Sequence, residues 1–384
     1  MWWRPLVVYA GVLAVLLVLS WQVVQHIALR ADALPPIGFP GEWFWGGWFR
    51  WDGGWYVGIA DGGYGYTKGQ QSSIAFFPGY PLSVRAVSHL THNTVLAGIA
   101  ITIACGAASF VAFHRWLRDR LEPRSALTAL LCLALYPYAY YVYGAVYGDA
   151  LFLLCALLAF LAFERDHMVL AGLAGAAATA TRLVGVAVVV GLVVGVLERR
   201  RAVDPVAGSP WRARFELGRL RPGDAGVLLS IGGLAAWSAF LWEQWGDPLA
   251  FSTVQTAWGQ GSGIVTWAKR DWIASVVRRP TELFTVGLVI QAALAALVLL
   301  CVPAIARRFG WRYGAYTALI VAIPAVGSQD FQGVGRYLIA TFPFFGLVGA
   351  WLTERPTARR VLLPLSALGL LTFTALFANG RYLS

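Results

Sequence analysis

Five stretches of this chain, 5–29, 94–113, 225–242, 283–306 and 361–378, run for about 18 residues or more with almost no charge. A bilayer core of roughly 30 Å takes about 20 apolar helical residues to cross. These stretches therefore constrain the chain to an all-α polytopic membrane protein. A β-barrel would need strand-period alternation, which is absent. Composition agrees: 58% of the residues are hydrophobic and 13% are charged, where a soluble domain carries about a quarter.

The net charge of +11 does not point to nucleic acid. The charges sit in short loops between apolar spans, where basic residues set membrane orientation. Arg4, Arg115 to Arg124, Arg165, Arg199 to Arg221, Arg307 to Arg312 and Arg355 to Arg360 cluster on what is then the cytoplasmic side. The N-terminus is expected inside, in a bacterial plasma membrane. Only two lysines, Lys68 and Lys269, stand among the 30 basic residues. With heavy Ala, Gly and Val usage, that fits a GC-rich bacterial genome. Cys105, Cys132, Cys155 and Cys301 fall within expected spans without metal-like spacing. The N-terminal apolar run, Leu6 to Val24, exceeds the 7–15 residues of a signal-peptide core and reads as a helix.

About eleven spans result: 5–29, 94–114, 126–143, 149–163, 167–180, 183–197, 225–243, 282–304, 313–327, 337–353 and 361–378. The stretch 167–197 is read as two helices. A single helix would be about 46 Å long, with Arg182 in its middle at a cost of about 2.5–3.5 kcal/mol. The chain is read as one membrane domain, 1–384. A first outer loop spans 30–93 and a basic cytoplasmic loop 198–224. Further outer segments are 138–149, 244–281 and 328–336. Membrane lipids are partners by construction.

The first outer loop holds two carboxylates, Asp52 and Asp61, among dense aromatics (Trp43, Phe44, Trp45, Trp48, Trp51, Trp55, Tyr56). An interfacial aromatic belt accounts for the tryptophans but not for the acids between them. Its Pro-Gly-Tyr-Pro, residues 78–81, is expected to break any regular helix. An acidic, aromatic loop at the water edge of a membrane protein suits the handling of a polar substrate.

Arg50-Trp51-Asp52, Trp55-Tyr56, Ile59-Ala60-Asp61, Gly63-Tyr64 and Ala75-Phe76-Phe77-Pro78-Gly79-Tyr80-Pro81 together resemble the PIG-V family. Those are GPI mannosyltransferase 2-like enzymes of the GT-C glycosyltransferase superfamily. Val146-Tyr147-Gly148-Asp149-Ala150-Leu151-Phe152 is similar to that family's Tyr-Ser-Glu-Ser-Leu-Phe. Ala180-Thr181-Arg182-Leu183-Val184-Gly185 is similar to its Thr-Arg-Ser-x-Gly. Gly335-Arg336-Tyr337 with Phe342-Pro343 resembles its C-terminal Arg-Tyr…Pro element. Asp149 stands where the family has glutamate and Gly148 where it has serine. The resemblance implies a GT-C-type bundle whose extracytoplasmic loops form the active site. It also implies inverting transfer of mannose from a polyprenyl-phosphate donor. The family's GPI-precursor acceptor does not carry over to a bacterium, which leaves a glycolipid, polysaccharide or protein acceptor.

An inverting transfer needs a base for the acceptor hydroxyl and cationic or hydrogen-bonding groups on the leaving phosphate. Asp52 is the expected base; its alternative is a structural carboxylate paired with Arg50 or capping a helix. Arg182 and Arg336 are expected to meet the phosphate. Arg50, Trp51, Trp55, Tyr56, Asp61, Tyr80, Asp149 and Tyr337 complete the expected substrate contacts. Asp61 would face away from Asp52 on a continuous helix, and Asp149 could simply cap one. No cofactor is called for; Asp52 and Asp61 could bind a divalent cation or act without one. No Gly-rich nucleotide fingerprint precedes a strand–helix unit, which favours a lipid-linked sugar over a nucleotide sugar. The alternatives are a GT-C transferase of another lipid-linked sugar and, in a different class, a lipid or sugar transporter or flippase. A transporter would show internal repeats and polar residues near the midplane; here the polar residues gather at one face.

Overall fold

The computed structural model describes residues 3–28, 44–201, 203–206, 209–258, 260 and 263–383. The first part of the expected outer loop, including Trp43, lies outside them. Helices dominate. In chain order they are α1 Arg4–His26, α2 Asp52–Gly62, α3 Gly79–Thr91, α4 Thr94–Arg118, α5 Pro123–Ala134, α6 Asp149–Glu164, α7 Met168–Thr181 and α8 Val186–Arg199. There follow α9 Gly232–Trp245, α10 Ala250–Thr253, α11 Ile264–Trp267, α12 Arg270–Arg278, α13 Leu283–Phe309, α14 Trp311–Gly327, α15 Val334–Tyr337, α16 Phe342–Thr353 and α17 Pro356–Ala378. The basic 198–224 segment carries a two-stranded antiparallel hairpin, β1 Val203–Val206 and β2 Ser209–Phe215, a departure from the all-helical expectation.

A helix occupies each of the eleven expected spans. Five described helices are long and apolar enough to cross a membrane: α1, α4, α13, α17 and Pro222–Trp245, which enters α9 through a 3-10 segment. Val334–Ala340 with Phe342–Thr353 adds a sixth only as a pair bent by 78°. On these grounds the chain is a multi-pass membrane protein. The other five expected spans hold helices of 12 to 17 residues. They rise about 18 to 26 Å, short of the bilayer core, so helix length does not carry a count of eleven.

Two breaks account for four of the short helices, α5 to α8. At Arg182 the chain turns extended (φ −159°), and a 3-10 turn, Leu183–Gly185, leads into α8. The second break follows α5. Residues 135–148, in part an expected outer loop, are instead almost wholly buried. Their carbonyls are met by side chains from other elements. Tyr9 donates to Val142 at 2.8 Å, Thr102 to Ala145 at 2.9 Å, and Ser366 to Leu135 at 2.8 Å. Irregular backbone survives at such depth only when neighbouring protein satisfies it.

Two further expectations change. Pro78–Pro81 starts a helix instead of breaking one: Pro78 is the N-cap of α3 and Pro81 lies in its first turn. The N–H groups that proline lacks there have no intrahelical partner anyway. Trp48 is a fully buried core residue, not a member of an interfacial belt.

Close helix contacts come from small residues. A side chain at Gly349 on α16 would meet the Ala129 Cα of α5 at 2.3 Å, and one at Gly172 on α7 would meet the Gly226 carbonyl at 2.1 Å. Polar groups then separate to two faces. Glu164, ending α6, gathers Arg120, Arg312 and the Tyr313 hydroxyl. Asp149, starting the same helix, belongs to the other face. So do the C-terminal ends of α1 and α17, joined where Asn379 donates to the Ala28 carbonyl at 2.9 Å.

Candidate active site

Asp52 opens α2 and owes its position to a tight turn. The Gly53 N–H donates to the Arg50 carbonyl at 3.0 Å, and Trp51 between them has φ 53° and ψ −117°. Those are angles of the first central position in a type II′ turn, where glycine is the usual residue. A side chain there costs about 1–3 kcal/mol, a strain that concentrates at functional sites. Arg50 anchors the turn from below. It donates to the carbonyls of Gly46 at 2.6 Å, Phe49 at 2.9 Å and Ala378 at 3.1 Å. Burial pushes its guanidinium down to about 10, so it stays charged at neutral pH. Arg50, expected among the substrate contacts and as a partner for Asp52, is thus tied to main-chain carbonyls.

The partner of Asp52 is Arg336. Its Nη1 donates to Asp52 Oδ2 at 3.0 Å, while its Nε lies 3.9 Å from Asp149 Oδ1 with no hydrogen-bond partner. Asp149 is held by Arg182 through two parallel bonds, of 2.5 and 3.0 Å. This fork geometry is the strong form of the pair. The four side chains form an alternating row: Asp52, Arg336, Asp149, Arg182. Asp149, Arg182 and Arg336 are only 3%, 7% and 8% exposed. Tyrosine rings surround the cations. The Arg336 guanidinium stands 5.1 Å from the Tyr147 ring, 5.4 Å from Tyr141 and 5.7 Å from Tyr337, and Arg182 stands 4.8 Å from Tyr337. Asp52 is only partly buried, and no described protein group bonds its Oδ1.

The remaining expected residues divide. Tyr56, one turn after Asp52, packs edge-on against Tyr80 and Tyr147. Burial raises its hydroxyl to about 12, against the pull of Arg182 and Arg336, so it is neutral at pH 7. Tyr80 is committed to α4, bonded to the Gly98 carbonyl at 2.9 Å and to Thr102 at 3.0 Å. Trp55 stacks on Phe76, with Trp258 of the 244–281 segment edge-on to both. Asp61 is exposed and accepts from Thr94 at 2.6 Å. It ends the helix that Asp52 begins, about 13 Å further along the axis, so the two acids do not share one ion. Among the described residues no group of three His, Cys, Asp or Glu side chains could hold a metal.

Trp51 also lines a cavity of 290 Å³, walled by Leu283, Phe284, Gln291, Phe373 and Tyr382. Leu283 and Phe284 open a helix long and apolar enough to cross a membrane and are exposed on its surface, so the cavity has an apolar, exposed wall. A larger hollow of 460 Å³ by His167, Arg200 and Asp224 lies at the other end of α7 from Arg182, away from the row. Gln291, buried in α13, accepts from the Gly335 N–H at 2.9 Å, and the Tyr136 hydroxyl donates to the Gly335 carbonyl at 2.9 Å. The turn that carries Arg336 is thereby held on both sides. Sequence reasoning missed Gln291, Tyr141 and Tyr147. A lone amide in an apolar span was the available signal for the first, and the family-like segment around Asp149 was the one for Tyr147; Tyr141 carried none.

The loop leading into this turn is latched from outside. Lys269 donates to the Ser328 carbonyl and stands over Phe331 at 4.9 Å, and Trp272 meets Phe331 edge-on. Burial raises Asp330 above the ordinary carboxylate value of 3.8. The folded state therefore holds this proton more tightly than the unfolded state does. Its stabilising contribution is full below about pH 4 and is lost as pH rises through the folded value. Asp330→Asn is expected to raise the melting temperature more at pH 7 than at pH 4. Equal shifts at the two pH values would contradict this.

No family model and no curated protein matches the sequence. Among solved structures, the chain is similar to the archaeal oligosaccharyltransferase AglB from Archaeoglobus fulgidus in complex with an inhibitory peptide and a dolichol-phosphate. That likeness has a TM-score of 0.45 at 11% identity, over 98% of this chain and 56% of that one. The Archaeoglobus fulgidus oligosaccharyltransferase in its apo form gives 0.44 at 12% identity, over 98% and 56%. The same enzyme tethered to an acceptor peptide gives 0.42 at 12%, over 100% and 56%. The chain spans just over half the length of these structures. Likenesses of this size and identity establish neither a family nor an activity.

Proposed function

We propose that this chain is a PIG-V-like glycosyltransferase of the GT-C type. It moves mannose from a polyprenyl-phosphate donor to a membrane-associated acceptor on the extracytoplasmic face, with inversion. The observation that carries the reading is the row Asp52–Arg336–Asp149–Arg182, next to which Trp51 lines a cavity with an apolar, exposed wall. The apolar chain of the donor lies along that wall, its phosphate against the Arg336 guanidinium, with Arg182 behind. The acceptor hydroxyl gives its proton to Asp52 Oδ1 as its oxygen bonds the anomeric carbon. The bond from that carbon to the phosphate oxygen breaks, and the guanidiniums take up the charge left on polyprenyl phosphate. Aromatic rings around the cations exclude water and strengthen the attraction.

The test is transfer by the purified full chain in detergent or vesicles, with polyprenyl-phosphate mannose and envelope glycolipid extract. Mannosylated product from this donor and none from GDP-mannose is expected. Product from GDP-mannose alone would refute the reading. Sidedness has its own check. A cysteine placed at Gln70 is expected to react with an impermeant thiol reagent in intact cells; labelling only after the cytoplasm is opened would overturn the orientation.

A further inference from the structure

We propose that Tyr147 is a positioning residue that sets both halves of the Asp52–Arg336 pair. The inference rests on the reading of that pair as base and phosphate partner. Tyr147 is fully buried and comes from the irregular 135–148 segment, about one hundred residues from the turn it touches. Its hydroxyl accepts from the Asp52 N–H at 3.1 Å and donates to the Arg50 carbonyl at 3.3 Å. Both flanks of Trp51 are therefore bonded to one oxygen. Trp51 is the residue with the unfavourable positive φ; the hydroxyl adds to the bonds by which the Gly53 and Gly54 N–H groups already hold the Arg50 and Trp51 carbonyls. The same side chain presents its ring to the Arg336 guanidinium at 5.1 Å. Tyr147 is itself braced by Tyr141, edge-on at 4.7 Å, and by Phe377 on α17. A hydroxyl thus holds the carboxylate's backbone while the ring seats its cation. A shift of about 1 Å in either group is enough to cost a reaction 10²-fold.

The two roles separate by substitution in the full-length protein. Tyr147→Phe keeps the ring and removes the hydroxyl. It is expected to lower kcat about 10- to 100-fold with donor KM within about twofold of wild type. Tyr147→Leu removes the ring as well and is expected to raise donor KM further. Wild-type kcat in Tyr147→Phe would overturn the proposal, as would a lowered melting temperature with kcat intact.

A second readout does not depend on transfer. Glycine adopts the turn at position 51 without strain. The loss of melting temperature caused by Tyr147→Phe is therefore expected to shrink by at least half in a Trp51→Gly background. Equal losses in both backgrounds would overturn the hydroxyl's role even if no transfer were ever detected. If the coupling appears but wild-type protein moves no sugar, the reading of the pair fails and the Tyr147 contact stands.

Discussion

Asp52→Asn is expected to lower sugar transfer about 10²- to 10⁴-fold, the usual share of a positioned base, while the protein still folds. The amide is the same size as the carboxylate, and its oxygen still accepts from Arg336 Nη1, now at 3.0 Å from Asp52 Oδ2. The turn is held by groups that the substitution leaves alone, namely the Gly53 N–H and the Tyr147 hydroxyl. What is lost is the capacity of Oδ1 to take a proton. The measurement is kcat with a polyprenyl-phosphate mannose donor, alongside the melting temperature. Full activity in the asparagine variant would remove Asp52 from the mechanism. Loss of transfer only in step with loss of folded protein would reduce it to a structural carboxylate.

The second large effect belongs to Asp149. It is buried with a forked bond to Arg182 and with Arg336 Nε 3.9 Å away. Asp149→Ala leaves two guanidiniums close together, in a tyrosine-lined setting, with no carboxylate between them and only Asp52 on the far side of Arg336. Removing one partner of a buried pair costs about 3–5 kcal/mol, because the remaining charge stays buried and uncompensated. The variant is expected to unfold at clearly lower temperature in detergent. The double variant Asp149→Leu with Arg182→Met removes both charges and is expected to recover most of that stability but not transfer. If the single variant melted like wild type, the pair would not be buried as described. If the double variant transferred sugar normally, the Asp149–Arg182 pair would have no part in the reaction.

Asp52 and Arg336 lie 284 residues apart in the chain, and Asp149 and Arg182 lie 33 apart. No local spacing links them, which is why each was legible singly, as an acid or an arginine at the edge of an apolar span, and none as a pair. The sequence already ranked Asp61 below Asp52, because nine residues of helix would turn it away. Helix geometry separates them, because a residue nine positions on has moved two and a half turns along the axis. Arg50 looked like the natural counter-ion for Asp52, but neighbours in sequence need not face each other, and its donors are spent on carbonyls.

The sequence by itself determined the long apolar helices and the break at Arg182. Apolar runs must satisfy their own backbone groups, and an arginine is too costly to leave in the middle of one. Only the tertiary structure decided that residues 135–148 are buried and that one tyrosine from the buried segment bonds both sides of Trp51. Those outcomes depend on which carbonyls and hydroxyls meet across the bundle. Such meetings are set by packing between elements far apart in the chain, and no residue's neighbours in sequence carry that information.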